Sequence, residues 1–248
     1  MPECAFCSHD GKMSAEHITS EWMSELFPGQ ITARRADGSE GKYREWRPGS
    51  LDFKAKVVCE QCNNTWMSNI EGIHAKPTLT PLITGKLEIP IGLSEANSMA
   101  LFSFKTAVVL DHARRLPQSP FFDRSSRHAF RETQAIPQNV QMWLCGYAGN
   151  RGSGHFRTLY HEPNFPTADN WQMYVCTFAI GHMAIQVVAV KNKTGNALFR
   201  PESGLVDLAI PFWPRLQPNY IWPGNAGIRN PDEFIALCHR WQNIQVIG

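Results

Sequence analysis

The chain has 248 residues, with 24 Lys and Arg against 22 Asp and Glu, for a formal net charge of +2. That length can bury a substantial core as one large domain or two small ones, and that charge excludes a general polyanion binder, so any nucleic-acid contact has to come from a local basic face. The most apolar stretch, Cys176 to Val190, is broken by Gly181, His182 and Gln186 and is too short to span a bilayer, while Met1-Pro2-Glu3-Cys4 lacks the features of a signal peptide, so a cytoplasmic protein without membrane contact is expected.

The first pattern along the chain is a pair of Cys-x-x-Cys motifs, Cys4/Cys7 and Cys59/Cys62, with 51 residues between Cys7 and Cys59. Each motif puts two thiolates within reach of one ion, and together they supply the four sulfurs of a structural Zn2+ site. In a reducing compartment such pairs favour metal over disulfides. A redox dithiol is disfavoured because neither pair sits in a βαβ pattern. His9 offers an alternative ligand, but four sulfurs already fill the shell. The spacer is far longer than in a simple zinc ribbon, so it should be a folded excursion. Zinc would contribute about 10–16 kcal/mol to folding there. Cys145, Cys176 and Cys238 lie in apolar surroundings and read as small buried hydrophobes.

Within the excursion, from Ile31 to Val58, seven basic residues stand against four acidic ones. Tyr43 and Trp46 interleave them, and Gly38 and Gly41 predict a hairpin tip. Arg34, Arg35, Lys42, Arg44 and Arg47 are the candidates for contact with a phosphate backbone. A solvated loop of mixed charge fits the same composition.

After Ala75-Lys76-Pro77 the character changes to longer periodic segments, which predicts a boundary between residues 1–76 and 77–248. Ser94 is placed to cap a helix with apolar positions at Met99, Phe102, Val109 and Ala113, ending at Arg114-Arg115. Asp123 should cap a second helix through about Glu132. Strands follow at Val140 to Tyr147, His155 to Tyr160, and Trp171 to Val190, the last a hairpin turning near Gly181-His182. Pro211-Phe212-Trp213-Pro214 and Trp222-Pro223-Gly224 read as loop. Asn230-Pro231-Asp232-Glu233 opens a final helix with cap, N1 proline and N3 glutamate in place. The predicted class is α+β: a small zinc-bound N-terminal domain followed by an α+β domain with an antiparallel sheet. Asp111-His112 and Cys238-His239 fall inside predicted helices and read as structural. Residues 77–248 carry no chemical signature, so nucleic acid, a protein partner and a regulatory ligand all stay open for them.

Cys4-Ala5-Phe6-Cys7, Ser14-Ala15-Glu16-His17-Ile18 with Trp22, and Val58-Cys59-Glu60-Gln61-Cys62-Asn63-Asn64-Thr65-Trp66-Met67 together resemble the HNH endonucleases, in their zinc-knuckle form. The resemblance covers about residues 4–71. It implies a ββα-metal (treble-clef-like) finger hydrolysing phosphodiester bonds in nucleic acid, DNA ahead of RNA, and it leaves open a role in phage defence. It also implies His17 as general base, with Glu16 and Asn63 holding a catalytic Mg2+ or Mn2+ through oxygen. The chemistry asks for these types: a base for water near neutral pH and hard oxygen ligands for a hard cation. Trp22, Trp66 and Met67 should pack around the finger. Two features depart from the family pattern: Leu51 to Val58 contains no Asn where the middle residue of the motif belongs, with only Asp52 to substitute, and the last metal position is the neutral Asn63. Glu71, eight residues beyond Asn63, would lie about 12 Å away along an α-helix, and reads as a structural or DNA-side residue. The alternative is a binding or adaptor module whose nuclease centre has decayed.

Overall fold

The computed structural model describes residues 3–9, 11–27, 32–37, 43–46, 54–113, 119–148, 153–161, 171–191, 198–201, 209–214, 220–224, 227–241 and 244–247. Among these, an eight-stranded sheet dominates. Its centre is β6 (Val140–Tyr147), β7 (Ser153–His161), β8 (Gln172–Ile180) and β9 (Met183–Lys191), side by side in the order β6-β9-β8-β7 and all antiparallel. The expected α+β class with antiparallel sheets is therefore present, and so is the hairpin turning at Gly181-His182.

The 173–190 segment is apolar almost without alternation because both faces of the sheet are covered. Tyr174, Cys176, Phe178 and Ile180 belong to one buried cluster, and Met173, Val175 and Ala179 to another on the opposite face. The first face packs against α4 (Leu93–His112), the second against α6 (Pro231–His239). Gly181 is required at the hairpin turn. Its φ is +58, and a Cβ there would sit 2.3 Å from the Ile83 carbonyl oxygen.

Both flanks of the sheet extend it in ways the sequence pattern hid. The basic insert forms β2 (Thr32–Asp37) and β3 (Tyr43–Trp46), an antiparallel pair whose β2 runs parallel to β7. The hairpin is as expected, although its tip and Lys42 and Arg47 lie outside the described residues, as do Arg114-Arg115. At the other edge, β11 (Ile210–Trp213) pairs with β6, and β12 (Tyr220–Trp222) pairs with β5 (Ile89–Ile91). These correct the expectation of loop. Pro211 has no N–H to give, but an edge strand does not need one on its open side, and the register slips between Pro211 and Trp213.

The helix caps at Asp123 and Asn230 are as expected: each side chain accepts the N–H three residues on, from Ser126 at 2.7 Å and Glu233 at 2.9 Å. The cap of α4 differs. The helix begins at Leu93, and Gly92 rather than Ser94 occupies the cap, because the Glu95 carboxylate accepts the Gly92 N–H at 3.0 Å. This helix is buried on almost every side from Ser98 to Asp111, as expected of a helix sandwiched between two layers.

The N-terminal part forms the second layer. Strands β1 (Met13–His17) and β4 (Lys54–Cys59) pair antiparallel, and β4 leads directly into a helical run through residue 83. That run comprises α2 (Glu60–Cys62), π-wound turns at Asn63–Met67 and Ile70–Ala75, and α3 (Lys76–Ile83). It passes through residue 76, the expected boundary, and one buried cluster takes in residues from Cys4 to Trp222. No helix among the described residues is long and apolar enough to cross a membrane.

Candidate metal centre and its surroundings

Strand pairing assembles the cysteines. The β1–β4 ladder sets Met13 opposite Cys59, and the Ala5 N–H donates to the Val57 carbonyl at 2.8 Å, which folds the first Cys-x-x-Cys turn over the end of β4. The Cys4 N–H closes that turn on the His9 carbonyl at 3.1 Å. All four sulfurs of Cys4, Cys7, Cys59 and Cys62 lie within 4.8 Å of one another and are buried. The Cys7 and Cys59 Sγ atoms are 3.6 Å apart. Zinc–thiolate bonds of about 2.3 Å in a tetrahedron place sulfurs about 3.8 Å apart, so the donor set fits an ion such as zinc without rearrangement. His9 is exposed and outside this group.

The thiols themselves call for a cation. Hydrogen bonding from Cys62 pushes the Cys4 thiol down to about 4 against the opposing effect of burial. The same bond, with burial, pushes Cys62 up, and burial pushes Cys7 up. One thiolate is easily accommodated among four crowded sulfurs. Further ionisation needs a positive ion.

Aromatic packing fixes the first turn from behind. Phe6 is fully buried and meets Trp66 edge-on at 5.0 Å and Phe130 at 6.3 Å, and Phe130 in turn contacts Phe104 at 4.7 Å. Phe130 belongs to α5 (Arg124–Thr133), which also reaches the turn through His128 to the Ser8 hydroxyl, 2.9 Å, and through Arg127, which donates to the Ala5 carbonyl. Trp22 and Met67 are buried in the same cluster, as expected, with Trp66 partly buried against it.

The residues expected to do chemistry are placed as follows. Asn63 turns its Nδ2 toward β1 and donates to the Ser14 hydroxyl at 2.8 Å, leaving Oδ1 outside that bond. Glu16 is 2% exposed, and its Oε1 accepts from Lys105 Nζ at 3.2 Å. Glu71 accepts from the same ammonium by an even shorter contact. His17 is half-buried and opposite Lys54 in the ladder; neighbouring strand residues face opposite sides, so its ring and the Glu16 carboxylate diverge. Among the described residues, the four cysteines form the one group of three or more His, Cys, Asp and Glu side chains gathered closely enough to hold an ion. Arg34, Arg35 and Arg44 are carried on β2 and β3.

Lys105 is the functional-site neighbour that sequence reasoning missed. It is fully buried, midway along α4, with Nζ 5.3 Å from the Phe102 ring centroid. Burial favours the neutral amine, but Glu71 and Glu16 more than offset it and leave the pKa above its ordinary value. Glu16 is raised, by burial first and by Glu71 repulsion, against the pull of Lys105. The available signal was that Lys105 is the lone charge between Glu95 and Asp111 in an otherwise apolar helix, a residue type almost never buried without a partner. The Asp111 carboxylate accepts the Phe122 N–H at 3.1 Å and Cys238 is fully buried in α6, so both decoy dipeptides sit in structural positions. Comparison with protein-family models, with curated proteins and with solved structures gives no match.

Proposed function

We propose that the chain is a metal-dependent HNH-type endonuclease that hydrolyses phosphodiester bonds in nucleic acid, DNA ahead of RNA. The observation that carries this reading is one of position. Two antiparallel strands lead straight into a helix beside four clustered cysteines, and Asn63 at the start of that helix bonds to β1 two residues before Glu16. This succession is what a ββα-metal finger requires. In this reading His17 accepts the proton of the attacking water. The Glu16 carboxylate and the Asn63 Oδ1 atom hold a divalent ion, and an all-oxygen donor pair suits Mg2+ or Mn2+. When bound, that ion supplies Lewis-acid charge to the scissile phosphate. Arg34, Arg35, Lys42, Arg44 and Arg47 grip the backbone, and zinc on the four cysteines is purely structural.

A second reading draws on a specific observation. Glu16 already has a cationic partner in Lys105, which favours an adaptor whose centre has decayed, with residues 77–248 engaging a protein partner. Incubating the zinc-loaded chain with supercoiled plasmid and Mg2+ or Mn2+ separates the two. The nuclease reading expects nicking that His17→Ala reduces at least about 100-fold, the usual scale of general-base catalysis. Nicking untouched by His17→Ala discards the assigned base. A folded, zinc-loaded wild type that is inert on DNA and RNA with both ions supports the adaptor.

A further inference from the structure

We infer that Lys105 is a positioning residue of this site, and that Glu71 is there to keep Lys105 from neutralising Glu16. The inference rests on the nuclease reading above and adds two residues to it. With no exposed surface, Lys105 cannot meet a phosphate. Whatever it does, it does through the two carboxylates it bonds.

Stability alone does not account for the arrangement. Removing an ammonium and two carboxylates from water costs several kcal/mol per ion, and an apolar residue of similar size is often as stable or more so. The cluster does something an apolar residue would not: it joins β1, the π-wound helix and α4 through one atom, Lys105 Nζ. Fixing Glu16 Oε1 on Nζ fixes the plane of that carboxylate and leaves its other oxygen for a second partner. The stoichiometry matters as much as the geometry. A one-to-one pair of Lys105 and Glu16 would be neutral and a poor ligand for a cation. Glu71 takes the closer contact, so the ammonium is shared and the trio carries one net negative charge. The π winding contributes to this, because turns wider than 3.6 residues change which side chains after Asn63 share a face; Glu71 lies in the second such segment and reaches the cluster.

The test uses the full-length, zinc-loaded chain and Mn2+ as probe. Lys105→Met alone leaves two carboxylates buried together and is a poor test of function. Lys105→Met with Glu71→Gln removes the ammonium and one of those charges, and Glu71→Gln alone leaves a neutral Lys105–Glu16 pair. For each variant, zinc content and melting temperature establish the fold, electron paramagnetic resonance titration gives Mn2+ affinity, and cleavage of a short oligonucleotide gives kcat and KM. Loss of a residue that orients a metal ligand typically costs about 10–100-fold. We expect both variants to bind Mn2+ at least about tenfold more weakly, with the cleavage loss in kcat and KM nearly unchanged. A folded Glu71→Gln chain with wild-type Mn2+ affinity and kcat overturns the inference while the nuclease reading survives. A wild type that neither binds Mn2+ nor cleaves overturns that reading, and the inference with it.

Discussion

The two faces of the main sheet bury polar groups in opposite ways. Beneath α6, Gln186 stands in an apolar strand with every amide hydrogen-bonding position used. Its Nε2 donates to Thr177 Oγ1 and the Leu237 carbonyl, both at 2.8 Å, and its Oε1 accepts from Arg240 at 2.8 Å and Trp241 at 2.7 Å. Beneath α4, Lys105 serves two carboxylates and the trio keeps a net charge. The first is what a buried polar group looks like when its task is to fasten a helix to a sheet. The second carries more charge than fastening needs, and it lies beside the four cysteines and the Glu16-His17 step. The difference teaches where to look for chemistry.

The largest expected effect separates the α4 side from the sheet behind it. Stripping the metal with a chelator, or Cys59→Ser, removes an ion that contributes about 10–16 kcal/mol in small zinc domains. Hydrogen exchange followed by mass spectrometry should show amide protection lost in residues 54–67 while residues 173–190 stay protected. Equal loss in both would mean that zinc stabilises the sheet as much as the knuckles.

Next comes a matched pair of substitutions. Lys105→Met breaks a buried ionic cluster and should cost about 3–5 kcal/mol in urea denaturation. Gln186→Leu leaves buried donors and acceptors unmade, at about 1–3 kcal/mol each. Both destabilise, but Gln186→Leu should leave Mn2+ affinity unchanged. Weakened Mn2+ binding in that variant would erase the contrast between the two faces.

The smallest effect concerns α5, which clamps the first Cys-x-x-Cys turn. Asp123→Ala should cost about 1 kcal/mol, the usual value of an N-cap. The Ser126 N–H holds the Asp123 carboxyl below its ordinary pKa. Its contribution is therefore complete above the unfolded-state pKa and disappears as pH falls through the lower folded-state value. The stability difference between wild type and Asp123→Ala should shrink on acidification across that window. A difference that grows instead would contradict the assigned hydrogen bond.

Sequence reasoning reached furthest where one short signal decides the local structure. Alternation with β-branched residues marked Val140 to Tyr147, a glycine marked the turn at 181, and side-chain acceptors marked the starts at Asp123 and Asn230. The four cysteines carried their own spacing, and distance in the chain did not hide them. It failed where a partner far along the chain decides. Pro211 and Trp222 sit in strands because β6 and β5 offer edges to them, and β2 lies parallel to β7 across more than a hundred residues. Gly92 caps α4 only because Glu95 reaches back. Lys105 was visible as a lone charge in an apolar helix, but Glu16 and Glu71 as its partners follow only from the packing of three segments.

Everything assigned around Glu16, His17 and Asn63 depends on one ion gathering Cys4, Cys7, Cys59 and Cys62. Zinc-edge X-ray absorption on the purified chain, together with metal analysis, tests this directly. The prediction is one zinc per chain with four sulfur neighbours at about 2.3 Å. A spectrum with nitrogen or oxygen in place of a sulfur, or a folded chain that carries no zinc, would contradict it.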